Sequence, residues 1–112
     1  PTLNDITEKK DEYWDGLKAL AELDNVYMKI SMLAYTDPEW DVNPLIKDTV
    51  LKVIDLFGVE RCQFASNLPV ENLWGWEAKR IFSGFLGIVE NQFSYKDQQK
   101  LFSDNARKVY RA

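Results

Sequence analysis

From residue 13 to residue 23 the apolar side chains Tyr13, Trp14, Leu17, Leu20 and Ala21 recur every three or four positions, the spacing of one stripe along a helix. The charged run from Glu8 to Glu12 reads as its solvated start, and residues 1–10 as a poorly ordered lead-in. After Asp24-Asn25 the period changes to two. Val26, Met28 and Ile30 then share one face and Tyr27, Lys29 and Ser31 the other, which predicts a strand over residues 26–31. Residues 32–42 carry Pro38 and several polar side chains and read as an irregular loop, with the aromatics Tyr35 and Trp40 within it.

The next helix is marked at both ends. Asn43 can cap it, Pro44 suits the first helical position, and Gly58 suits the residue past its end. Its buried stripe is Ile46, Val50, Val53, Ile54 and Phe57. A short apolar run from Cys62 to Ala65 follows, bounded by Glu60-Arg61 and Asn67-Leu68-Pro69, and reads as a buried strand. A third helix is expected over residues 76–90, with Ala78, Ile81, Phe82, Phe85, Ile88 and Val89 on one face and with Gly84 and Gly87 permitting close packing. Ser94 and Asp97 resemble a capping box before a helix through Leu101-Phe102, and a last turn spans residues 105–110.

Helix, strand, helix, strand, helix is the order of a crossover unit with parallel strands. Parallel strands are normally covered on both faces, which a sheet of two cannot achieve. The chain therefore reads as one segment of a larger α/β sheet or barrel, or as a unit that associates with its own copies. Functional groups in such sheets gather at the C-terminal strand ends, here Ser31 and Ser66-Asn67.

Composition narrows the picture. With 112 residues, 46% of them hydrophobic, the chain can bury the core of one domain. Fourteen basic against eighteen acidic residues give a net charge of −4 without basic clusters, which argues against nucleic acid and anionic membranes as partners. The longest apolar stretch, residues 81–89, falls well short of the ~20 residues of a spanning helix. No leader-like segment opens the sequence and the single Cys62 cannot form an internal disulfide, so a cytoplasmic location is expected. Histidine is absent altogether, which removes the commonest metal ligand and neutral-pH proton carrier.

Three blocks together resemble a known family. They are Trp14-Asp15-Gly16-Leu17-Lys18-Ala19-Leu20-Ala21 leading into residues 25–31, the run from Leu56 through Arg61-Cys62-Gln63-Phe64-Ala65-Ser66-Asn67-Leu68-Pro69-Val70, and Asp104-Asn105-Ala106-Arg107-Lys108-Val109-Tyr110-Arg111. In this order they are similar to the C-terminal end of amidohydrolase-related, metal-dependent hydrolases of (β/α)8 TIM-barrel fold, the branch that includes sugar lactonases. The resemblance implies a partial TIM barrel whose two parallel strands match the seventh and eighth, with flanking helices. The metal site of that family is built from histidines on earlier strands plus an aspartate at the end of the eighth. Asn67 stands at the aspartate position, as in lactonase-like members that read Ser-Asn-Phe-Pro-Val where this chain reads Ser66-Asn67-Leu68-Pro69-Val70. A neutral amide neither charges a cation site nor takes a proton from bound water well. No cofactor is therefore expected on this chain, although a divalent ion such as zinc belongs to a complete barrel of the family.

The resemblance implies Asn67 as the catalytic position, around which Ser31, Lys29, Ser66, Glu71 and Trp74 are substrate-binding candidates; without the resemblance, Asn67 is better explained as a turn former. Lys29 would orient an anionic substrate, or else form an ion pair or reach water from a strand edge. Trp74 would stack on a sugar-like ring or pack against a neighbouring loop, Glu71 is more readily a solvated carboxylate, and Cys62 reads as a small apolar core residue. Alternation along the strand sends Gln63, Ala65 and Asn67 inward and Cys62 and Phe64 toward the helices. Asn105 reads as a helix cap. The partners expected are a small-molecule substrate and either the missing N-terminal part of the barrel or further copies in a homo-oligomer.

Overall fold

Residues 6–31, 33–66, 75 and 77–110 are described by the computed structural model. Helix α1 (Lys10–Ala21) lays Tyr13, Trp14, Leu17 and Ala21 against the core, as its periodicity predicts. Leu20 turns out to be 44% exposed instead. Ile6, within the stretch read as a lead-in, is buried in the core. The helix stops where Leu23 N–H bonds back to the Leu20 carbonyl and Val26 N–H to that of Leu23, so the strand begins later than its alternation suggests.

Strand β1 is Met28–Ile30, followed by a short helix α2 (Leu33–Thr36) and a 3-10 turn, Trp40–Val42. The expectation of an irregular loop over residues 32–42 is corrected here. Asp37 N–H closes α2 on the Leu33 carbonyl, Pro38 cannot continue the helix, and the Asp37 carboxylate then organises the turn. Its Oδ1 accepts from Glu39 N–H at 2.9 Å and its Oδ2 from the Asn43 side-chain amide at 2.7 Å. Asn43 also caps helix α3 (Pro44–Phe57), its Oδ1 accepting from Leu45 N–H at 2.9 Å. One side chain thus joins the loop after β1 to the following helix. Helix α3 buries the five residues predicted, and Gly58 leaves it at φ 85°, a region most other residues avoid.

Strand β2 (Cys62–Phe64) runs parallel to β1, with Met28 opposite Cys62, Lys29 opposite Gln63 and Ile30 opposite Phe64. Ile30 and Phe64 join the core made by α3 and by α4 (Ala78–Val89), where Phe64 stacks on Phe85 with ring centroids 4.4 Å apart. Such a pair adds about 0.5–1.5 kcal/mol beyond the area it buries. In α4 the buried row is Ile81, Gly84, Phe85, Ile88 and Val89, while Ala78 and Phe82, expected in that row, lie on its exposed flank. Close packing explains Gly84. A Cβ there would meet the Trp40 ring at 2.5 Å, so the absence of a side chain lets the loop after β1 fold down on α4. Gly87 has open space around it and no such role.

The C-terminal part is helical throughout: α5 (Tyr95–Gln99), a wider π turn over Lys100–Asp104, and α6 (Asn105–Tyr110). Ser94 Oγ accepts from Asp97 N–H at 3.2 Å, half of the capping box expected. Asn105, expected as a cap, has helical backbone angles and cannot serve as one. It is buried, and its amide donates to the carbonyls of Val59 at 2.6 Å and Cys62 at 2.7 Å, tying the last helix to the start of β2.

Arg61 makes the corresponding tie on the other side. Its guanidinium donates to the carbonyls of Ala21 (2.7 Å), Leu23 (2.7 Å), Val26 (3.2 Å) and Phe57 (3.0 Å). The end of α1, the approach to β1 and the end of α3 thus meet on the residue before β2. The five donors of a guanidinium, spread over three nitrogens, reach four carbonyls here, more than the three donors of one ammonium can serve.

Three outcomes are expected. Arg61→Lys should destabilise the chain by about 2–3 kcal/mol in urea unfolding, because hydrogen bonds to a charged group contribute about 1.5–3 kcal/mol and most of this set would be lost. Gly84→Ala should cost about 1–3 kcal/mol through overpacking against Trp40, whereas Gly87→Ala should not destabilise. The third concerns pH. The Asn43 amide, and secondly Glu39 N–H, hold the Asp37 carboxyl below its ordinary 3.8. A lowered folded-state pKa gives stability that is fully present above that ordinary value and is lost as pH falls through the folded value. Urea midpoints followed from pH 6 down to pH 2 should therefore fall more steeply for the native chain than for Asp37→Ala.

Candidate functional site

The parallel register brings the C-terminal ends of the two strands together. One residue beyond the Ile30–Phe64 pair, Ala65 N–H donates to the Ile30 carbonyl at 3.0 Å, so Ser31 and Ser66 leave adjacent strands on the same edge of the sheet. Both are half-buried. Asn67, Glu71 and Trp74, named from the sequence as the catalytic position and two binding candidates, lie outside the described residues. The loop after β1 rises from this same end, held by Asp37 and Asn43 and by an ion pair of Arg80 with Glu39 and Asp41 at 3.4 Å each. Of the loop aromatics, Trp40 is packed against Phe85 and is 2% exposed, while Tyr35 is 59% exposed at the rim.

Lys29 lies lower on the sheet, two residues before Ser31, and is exposed on the face away from the core. Directly opposite it in register is Gln63, which is 6% exposed. Gln63 points away from α3 and α4, as alternation with the core residues Cys62 and Phe64 predicts, and it is covered from the side of α6. Its amide donates to the Tyr110 hydroxyl at 3.3 Å, and its Oε1 has no hydrogen-bond partner. A buried carbonyl oxygen without a donor is unfavourable by about 1–3 kcal/mol. Gln63 was named from the sequence only as inward-facing. A glutamine in the middle of an apolar strand was the available signal that it does more.

The donor chemistry of the described residues does not suit a divalent ion. No group of three or more histidine, cysteine, aspartate or glutamate side chains converges among them, and the sequence contains no histidine. The thiol of Cys62 is fully buried, and burial pushes its pKa up to about 12 against a smaller opposing effect of Arg61, so it stays protonated at neutral pH. It is a core residue, as read from the sequence. No described helix is long and apolar enough to cross a membrane.

Comparison with known proteins agrees with this geometry. A family model described as amidohydrolase matches residues 3–112. A curated relative, the "Uncharacterized protein y4mH" of Sinorhizobium fredii, is 38% identical over 96 residues, covering 86% of this chain. The chain spans only about a third of that relative, 31% of its length. No solved structure gives a significant match. The family match takes in both strands, the crossover helix between them and the whole C-terminal helical part, and the chain belongs to the amidohydrolase family.

Proposed function

We propose that this chain is the C-terminal part of an amidohydrolase-like hydrolase, supplying the seventh and eighth strands of a TIM barrel that acts on a small cyclic ester (lactone) or amide by adding water to a carbonyl. The observation that carries the reading is the parallel pairing of β1 with β2 through a helical crossover, within a chain that matches the family model almost end to end. A closed barrel of this kind takes about 250 residues. Catalysis then requires the rest of the barrel, and this chain alone is inactive. The working end is the edge where Ser31 and Ser66 emerge, with Asn67 beyond them.

In this reading Asn67 hydrogen-bonds the substrate carbonyl or holds the attacking water, since its amide can donate and accept but cannot take a proton as a carboxylate would. Ser31 and Ser66 bind substrate hydroxyls, and Glu71 and Trp74 also contribute to substrate binding. A divalent metal, where the complete barrel holds one, takes its ligands from other strands. A single cysteine buried as a thiol suits a reducing, cytoplasmic setting. The second reading, a self-associating remnant without catalysis, draws on the same two-stranded sheet, whose edges invite pairing.

The test is complementation. The 112-residue chain is mixed with a separately expressed polypeptide comprising the part of the y4mH protein outside the matching segment, and lactones and cyclic amides are assayed. Hydrolysis is expected only in the mixture, reduced by about 100-fold or more with Asn67→Ala. A mixture inert on both classes, or one unaffected by Asn67→Ala, contradicts the proposal.

A further inference from the structure

Three features around β1 bear on what its open edge can receive. First, the Ile30 carbonyl is directed at β2, where it accepts from Ala65 N–H. Backbone groups alternate along a strand, so those of Lys29 and Ser31 are directed at the opposite edge, and among the described residues no strand pairs there. Second, a cleft of about 80 Å³ runs along that edge, walled by Tyr13, Met28, Leu33 and Val53, with Lys29, Ser31 and Thr49 also lining it. Its lining is almost wholly apolar and takes an apolar side chain. Third, on the face away from α3 and α4 stand an exposed ammonium, Lys29, and the partnerless Oε1 of Gln63, buried beside α6, the two residues directly opposite each other in register.

We infer that β1 receives a further parallel β-strand, one that places a carboxylate level with Lys29 on the inward face and an apolar residue in the cleft behind it. The inference rests on the reading of the chain as part of a barrel and names the chemistry of the segment that completes it. Once a sheet closes around Lys29, its charge leaves water, and a buried ammonium persists only when it is paired and hydrogen-bonded. Gln63 Oε1 can accept one hydrogen bond from an ammonium, but a neutral acceptor does not compensate the charge. The missing group is an acid, and no described aspartate or glutamate forms an ion pair with Lys29. A second copy of this chain is a poor occupant face to face, because it would set Lys29 beside its own equivalent. The relative extends well beyond the segment matched here, and its remaining 69% offers chain enough for further strands.

Lys29 on this account is a positioning residue in the barrel floor. Lys29 lies two residues before Ser31 and Gln63 three before Ser66, about 7 and 10 Å along the strands, which sets this pair below the strand ends where substrate is expected.

The experiment titrates the chain with the polypeptide made of the y4mH protein outside the matching segment, following binding by calorimetry, and then treats the complex with a zero-length carbodiimide cross-linker. Expected is a complex in which Lys29 is joined to an aspartate or glutamate of the added polypeptide, with affinity at least tenfold weaker for Lys29→Met and weaker still for Lys29→Glu. Lys52→Met, on the outer surface of α3 over Trp14, should bind as the native chain does. No association, a complex without a cross-link at Lys29, or unchanged affinity of Lys29→Met overturns the inference. A complex that forms through Lys29 yet hydrolyses nothing leaves it standing and removes the hydrolase reading instead.

Discussion

The constraint on which the structure depends is the parallel pairing of two three-residue strands, Met28–Ile30 and Cys62–Phe64. So short a pair does not hold itself in water. Its register is fixed from outside by two side chains that donate to backbone carbonyls. Arg61 gathers the carbonyls of Ala21, Leu23, Val26 and Phe57, which sets where β1 and β2 begin relative to each other. Asn105 holds Val59 and Cys62 from the C-terminal helix. Buried apolar contacts of Ile30 and Phe64 with α3 and α4 then supply the bulk of the stabilisation.

From that pairing the rest follows in order. Because the strands are parallel, both end on one edge, and the half-buried serines Ser31 and Ser66 mark it. Because one face carries α3 and α4, the other carries the exposed Lys29 and, opposite it, the buried Gln63 whose Oε1 has no partner. The loop after β1 is not slack. Trp40 against Gly84, and Asp37 against Asn43, hold it to α4 and α3 and give the working end a fixed wall.

Much of this was legible in the sequence, for physical reasons that differ between elements. Helix α3 was read with its cap, its proline, its terminal glycine and its five buried residues, because each is a local rule applied to neighbouring positions. The parallel order followed from the alternation of periods, and the family from blocks spread along the chain. What escaped were interactions between residues far apart. Arg61 looked like a charged strand boundary, since nothing local says that carbonyls some 40 positions away converge on it. Asn105 looked like a cap because Asn caps helices, yet its amide was needed 43 residues back. Phe82 was placed inside by periodicity and lies on the exposed flank, a difference of one helical row that tertiary packing decides. Of the candidate site, Ser31, Ser66 and Lys29 are placed on the sheet, whereas Asn67, Glu71 and Trp74 lie outside the described residues.

The most direct measurement of the central claim is amide hydrogen exchange by NMR on the isolated chain, resolved to single residues along β1 and β2. The account predicts a slowly exchanging Ala65 amide, bonded to Ile30, beside rapidly exchanging amides of Lys29 and Ser31 on the opposite edge. An Ala65 amide that exchanges as fast as those two, or Lys29 and Ser31 amides protected as strongly as Ala65, would contradict it.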